Sequence, residues 1–167
     1  MDNPFPNESD NNPFLEAIYE DRIQEAINFL DQGYDINSTT HSGSTALHIA
    51  SQRGNLDLVN LLISRGINYN LLTIDGWTAL NFAAQKGYLQ IVNALIKAGI
   101  NINQQGFRYR RTALHYSADQ GKDDVIIALL NAGANPNISD ISGNKPKDVA
   151  NKKGYITTAK LFDPQTI

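Results

Sequence analysis

Short apolar stretches alternate with polar punctuation along this chain, and the alternation keeps a fixed period. Residues 76–103 read GWTALNFAAQKGYLQIVNALIKAGININ. The first apolar stretch, Ala79 to Ala84, follows Thr78, whose hydroxyl suits a helix N-cap. The second places Leu89, Val92, Leu95 and Ile96 at helical spacing and stops at Ala98 and Gly99. This predicts a helix, a tight turn, a second helix and a loop. Helices below roughly 12 to 15 residues are marginal alone in water, so the unit must bury its apolar face on a neighbour.

The neighbours are copies of the unit. Residues 43–70 read GSTALHIASQRGNLDLVNLLISRGINYN and residues 110–137 read RRTALHYSADQGKDDVIIALLNAGANPN, a spacing of about 33 residues. Thr45, Thr78 and Thr112 share a position, as do Gly54, Gly87 and Gly121, Gly66, Gly99 and Gly133, and Asn70, Asn103 and Asn137. One spacing differs: eight residues separate Asn37 from Thr45 and Asn70 from Thr78, but nine separate Asn103 from Thr112. The third leading turn, Gln104 to Arg111, therefore carries an extra residue, and Arg110 stands where Gly43, Gly76 and Gly143 stand.

The TALH of residues 45–48 and 112–115, together with the helix pair and the period, resembles the ankyrin repeat, whose pattern carries T-P-L-H, a mid-repeat glycine and a terminal G-A-D-V-N. Ala46, Ala79 and Ala113 replace the usual proline, and Asn81 replaces one histidine. The resemblance implies an all-α solenoid of helix-turn-helix units with β-turn or hairpin fingers. Full repeats fall at about 40–70, 73–103 and 107–137, between a degenerate cap at 14–37 and a C-terminal cap repeat at 140–162. In the first cap Asp21 stands where later repeats have glycine; in the last, Lys145-Pro146-Lys147-Asp148 stands where T-x-L-H would be. Polar substitution is what terminal repeats need, because their outer faces meet water. Residues 1–13, polar and proline-punctuated, read as a disordered tail, and 164–167 as a short C-terminal tail.

Composition narrows the chemistry. A formal charge of −3 and a pI near 5.5 argue against a generally polyanion-binding surface, so any basic site is local. With no cysteine there is neither a disulfide frame nor a thiolate metal site. The N-terminus lacks a secretory signal pattern and no apolar run approaches a membrane span, which points to a cytoplasmic protein without membrane attachment. Frequent asparagine and isoleucine resemble the usage of an AT-rich, often bacterial, genome, and by analogy a protein delivered into a host cell.

The resemblance implies binding through the tips of the leading turns and the exposed surface of each first helix. Carried onto this sequence, the partner-binding set is Ile74, Asp75, Trp77, Arg108, Tyr109 and Arg111 on the tips, with Arg53, Gln85, Lys86, Asp119 and Gln120 along the groove. Trp77 either joins Tyr109 and Arg111 in a contact patch or packs locally. Arg108, Arg110 and Arg111 either grip carboxylates or phosphates of a partner or pair with Asp75 and Asp140. The favoured function is a monomeric, non-enzymatic module for another protein with an acidic or phosphorylated surface. The alternative is a phosphorylated or nucleic-acid ligand on residues 107–111, though three arginines are few for nucleic acid. No cofactor, metal site or catalytic set is suggested, and His48 and His115 are assigned to turn hydrogen bonds by the resemblance. It also assigns the terminal asparagines to bonds with the following turn, and marks Asn103 as a position open to asparaginyl hydroxylation.

Overall fold

A computed structural model describes residues 12–163 of the protein. Among them ten helices form five pairs: α1 (Pro13–Tyr19) with α2 (Ile23–Asp31), α3 (Ala46–Arg53) with α4 (Leu56–Ser64), α5 (Ala79–Lys86) with α6 (Leu89–Ala98), α7 (Ala113–Asp119) with α8 (Asp123–Asn131), and α9 (Pro146–Lys152) with α10 (Ile156–Lys160). The odd-numbered helices pack each on the next, and α4, α6 and α8 form a second row behind them. This is the predicted all-α solenoid.

Burial follows from the stacking. The helix α3 is buried from Ala46 through Ser51 without a break, because α1 covers one flank and α5 the other. The outer helix α4 buries only Leu58, Val59 and Leu62. In α6 the fully buried residues are Ile91, Val92 and Leu95, whereas Leu89 and Ile96 lie at the rim of a shallow groove beside Ile127 and Ala128 of α8. One continuous core runs from Phe14 to Ala159.

Residues 12 and 13, read from the sequence as part of an N-terminal tail, instead cap and open α1. Asn12 Oδ1 accepts the amide N–H of Phe14 at 3.1 Å and of Leu15 at 3.3 Å, and Pro13 opens α1. A proline at the first helical turn has no amide to lose, so residues 12–13 start the helix. Residues 1–11 and 164–167 lie outside the described residues.

Local chemistry repeats with the sequence. Thr45, Thr78 and Thr112 are helix N-caps. Nδ1 of His48 accepts the Thr45 N–H at 3.1 Å and its Nε2 lies 3.1 Å from the Trp77 carbonyl; His115 repeats this with Thr112 and Asn144. Each histidine thus ties its own helix to the next finger. The terminal asparagines reach one repeat on: Asn37, Asn70 and Asn103 accept the amides of Asn68, Asn101 and Asn135 at 2.8, 3.1 and 2.8 Å. Their partner is the corresponding loop of the next repeat, not the turn that follows in sequence.

Candidate functional site

The leading turns project as four fingers, at residues 38–45, 71–78, 104–112 and 138–145. Fingers 1, 2 and 4 close through two backbone bonds each: the amides of Thr40, Thr73 and Asp140 donate to the carbonyls of Ser44, Trp77 and Asn144, and the amides of Gly43, Gly76 and Gly143 donate back to the carbonyls of Thr40, Thr73 and Asp140. Finger 3 closes from Gly106 to Arg111, one residue longer, as the extra residue requires. Arg110 takes a left-handed φ of 51° where the other fingers have glycine.

Neighbouring fingers touch in two ways. The amide of Ile74 donates to the Ser42 carbonyl at 3.0 Å, and that of Ile141 to the Tyr109 carbonyl at 2.9 Å. Fingers 2 and 3 instead meet backbone to backbone at Gly76, where an added Cβ would stand 2.2 Å from the Phe107 nitrogen. Four large apolar side chains are left in water on these tips: Ile74 at 70% exposure, Phe107 at 65%, Tyr109 at 47% and Ile141 at 61%.

Behind the tips lies an aromatic and ionic layer. The Trp77 ring sits against Phe82, centroids 4.7 Å apart, and Tyr116, 4.2 Å, while Phe82 meets the edge of His48 at 6.0 Å. Arg111 reaches both Asp119 and Asp140 at 3.4 Å, and Lys153 meets Asp119 at 3.5 Å.

Sequence comparison bears directly on this geometry. The family model described as "Ankyrin repeats (3 copies)" matches residues 14–106, and "Ankyrin repeat" matches residues 109–141. The chain belongs to the ankyrin repeat family. Among curated proteins it is similar to Inversin of Mus musculus and of Homo sapiens, each 42% identical over 53 residues, and to Inversin of Danio rerio at 43% over the same length. These matches cover 32% of this chain and 5% of each relative, so the chain spans only a small part of their length. The bacterial origin suggested by composition finds no support in them.

Ankyrin repeats generally mediate protein–protein interaction and are typically non-enzymatic, and this ankyrin chain sorts its candidate residues into two groups. Ile74, Asp75, Arg108 and Tyr109 are exposed on the tips, with Arg108 3.9 Å from Asp75 and its guanidinium 5.3 Å from the Tyr109 ring. Arg53 lies over the Tyr19 ring at 5.0 Å, Lys86 and Gln120 are exposed, and Gln85 is half-buried. Trp77, Arg111 and Asp119, by contrast, are committed internally. Trp77 is clasped by two rings, Arg111 retains 26% of its side-chain exposure between two carboxylates, and Asp119 retains 15%. The patch that would join Trp77 to Tyr109 and Arg111 is therefore not assembled at the surface. Phe107 and Arg110, read from the sequence only as part of the basic segment 107–111, are exposed on finger 3, and Ile141 is exposed at the tip of finger 4.

Electrostatics agree with these roles. Burial lowers the His48 pKa to about 4, against the smaller opposing effect of the bonded Trp77 and Leu71 carbonyls. Burial lowers His115 as well, with the Asn144 carbonyl and Asp140 opposing. Both rings are neutral and structural. Tyr116 is pushed up to about 12, chiefly by burial, with Arg111 opposing. Burial would raise Asp140, but the amides of Asn144 and Ser142, the Asn144 side chain and Arg111 outweigh it and hold the carboxyl below its ordinary value. Among the described residues no group of three His, Cys, Asp or Glu could hold a metal ion, and no helix is long and apolar enough to cross a membrane.

Proposed function

We propose that this chain holds a partner protein on the tips of fingers 2, 3 and 4, with the adjoining groove at Arg53, Lys86 and Gln120 as a polar rim. The observation that carries this is the row Ile74, Phe107, Tyr109 and Ile141, large apolar side chains exposed on consecutive fingers of a rigid stack. Burying one such side chain contributes about 1.5–3 kcal/mol, so a partner covering the row gains enough for stable association. The rim keeps the row soluble when empty and sets orientation when filled.

The alternative, a phosphorylated or nucleic-acid ligand on residues 107–111, has weaker support because Arg111 is neutralised by Asp119 and Asp140 and Arg108 faces Asp75. Too little uncommitted positive charge remains for a polyanion. The test is a variant with Ile74→Ser, Phe107→Ser and Ile141→Ser, all exposed and so neutral to folding. It is expected to keep the wild-type helical circular dichroism and to lose the proteins that wild type retains from cell lysate. Retention of the same proteins in the same amounts would sink the finger reading.

A further inference from the structure

Arg110 is the one finger residue whose backbone conformation works against its side chain. Gly43, Gly76 and Gly143 occupy its position in the other fingers with φ of 75°, 80° and 77°, and Arg110 adopts 51° in the same place. A side chain in the left-handed region is strained unless it is Gly, Asn or Asp. The strain is held in place by Gln105, whose Nε2 donates to the Arg110 carbonyl at 2.6 Å and to the Ser139 carbonyl at 3.0 Å. Glycine would satisfy the same bonds without strain, so nothing in the fold requires an arginine there.

The side chain has no internal use either. Arg111 has two carboxylate partners and Arg108 has Asp75, but Arg110 makes no ion pair with a described residue and is exposed. Strain retained at an exposed, uncommitted side chain marks a position kept for contact.

The charge of the whole chain indicates what it contacts. Among the described residues, 12–37 carry six acidic side chains and one arginine, a formal −5, while 38–163 carry eight acidic and thirteen basic ones, a formal +5. The acidic protein is thus a polar rod whose fingers 2 to 4 lie in the positive part. An acidic partner is drawn to those fingers and repelled by the first repeat, where Glu16, Glu20 and Glu25 surround Arg22.

Building on the finger reading above, we propose that Arg110 is the specificity-determining residue of the surface. The partner is an extended acidic segment of a protein, whose carboxylate meets the Arg110 guanidinium while its apolar side chains lie on Ile74, Phe107, Tyr109 and Ile141. A carboxylate is the acceptor that the arginine fork engages bidentately, and an extended segment matches a row of tips better than a compact face does.

The test is a display selection of random peptides of about 12 residues against immobilised wild type, the Arg110→Gly variant and the Ile74→Ser/Ile141→Ser variant, with thermal melts of each. Wild type is expected to enrich peptides combining Asp or Glu with bulky apolar residues. Arg110→Gly is expected to melt no lower than wild type, to lose the acidic enrichment while keeping the apolar one, and to bind a wild-type-selected peptide roughly tenfold more weakly. Arg110→Lys is expected to recover part of that loss, since it restores charge without the fork. Acidic enrichment that survives Arg110→Gly overturns the role of Arg110 and leaves the finger reading standing. Peptides selected equally by the Ile74→Ser/Ile141→Ser variant overturn the finger reading itself. Failure to select any peptide, or an oligothymidine strand bound through Arg110 with no acidic enrichment, overturns the proposed partner.

Discussion

Acidification from neutral pH should destabilise this protein well before its carboxylates are protonated, and the two TALH histidines set the effect. His48 is 2% exposed, its Nδ1 accepts the Thr45 amide, and its Nε2 is left to donate to the Trp77 carbonyl. A second proton would have to sit on Nδ1, facing a donor, in a site closed to bulk solvent. Its folded pKa of about 4 lies below the ordinary histidine value of 6.5, so on acidification the unfolded chain takes up the proton first. The stability this ring contributes is complete above about pH 6.5, declines between about 6.5 and 4, and is level below that. A difference of about 2.5 pKa units corresponds to about 3 kcal/mol at 1.36 kcal/mol per unit, a large share of the roughly 5–15 kcal/mol that holds a domain together. His115 is shifted in the same direction and adds to the slope. Asp140, also held below its usual value, contributes stability lost only below about pH 4, its unfolded value, outside this window. The assay is urea unfolding at several pH values between 7.5 and 4.5, comparing wild type with His48→Asn, the residue that the repeat at 73–103 already carries at Asn81. The variant should start less stable but lose up to about 1.4 kcal/mol less per pH unit. Parallel pH profiles, or an NMR titration of His48 near 6.5, would refute the reasoning.

Three further outcomes are expected. Gly76→Ala should lower stability by about 2–4 kcal/mol, combining a left-handed backbone with a clash against the Phe107 nitrogen that no side-chain motion relieves; an urea midpoint within error of wild type would contradict the contact. Asn81→His should raise stability by about 1 kcal/mol, because Nδ2 of Asn81 is buried without a partner and a histidine there would reach the Arg111 carbonyl as His48 reaches that of Trp77; a lowered melting temperature would show that the site cannot take the ring. Arg111→Glu should cost about 2 kcal/mol, less than a fully buried pair, since it places a third carboxylate beside Asp119 and Asp140, and calorimetry showing no loss would return Arg111 to the partner surface.

The fold was legible because its determinants are local and repeated. Threonine caps, helix-terminal glycines and the helical spacing of apolar residues act within one unit, and recurrence in register turns several weak signals into one strong one. Even the departures could be read: Arg110 in the glycine position takes the left-handed backbone that glycine would have taken, and so does Asp21, with φ of 61° and a 2.8 Å bond from Asn55. The boundary at Pro13 was misjudged because a proline-rich stretch looks like a tail until its last proline is seen to open a helix.

What one repeat determines for itself, the sequence alone decided: where helices start and stop, which finger is longer, which residue stands at each tip. What two repeats determine together, only the stacked structure decided. Trp77 meets Tyr116 of the next repeat as well as its own repeat's Phe82, and Arg111 meets Asp140 of the next finger as well as its own repeat's Asp119, because Tyr116 and Asp140 come within reach only after α5, α7 and α9 are packed side by side. Side-chain reach across a repeat interface depends on distances that no linear spacing encodes, and for that reason the scaffold could be read from the chain while the surface it presents could not.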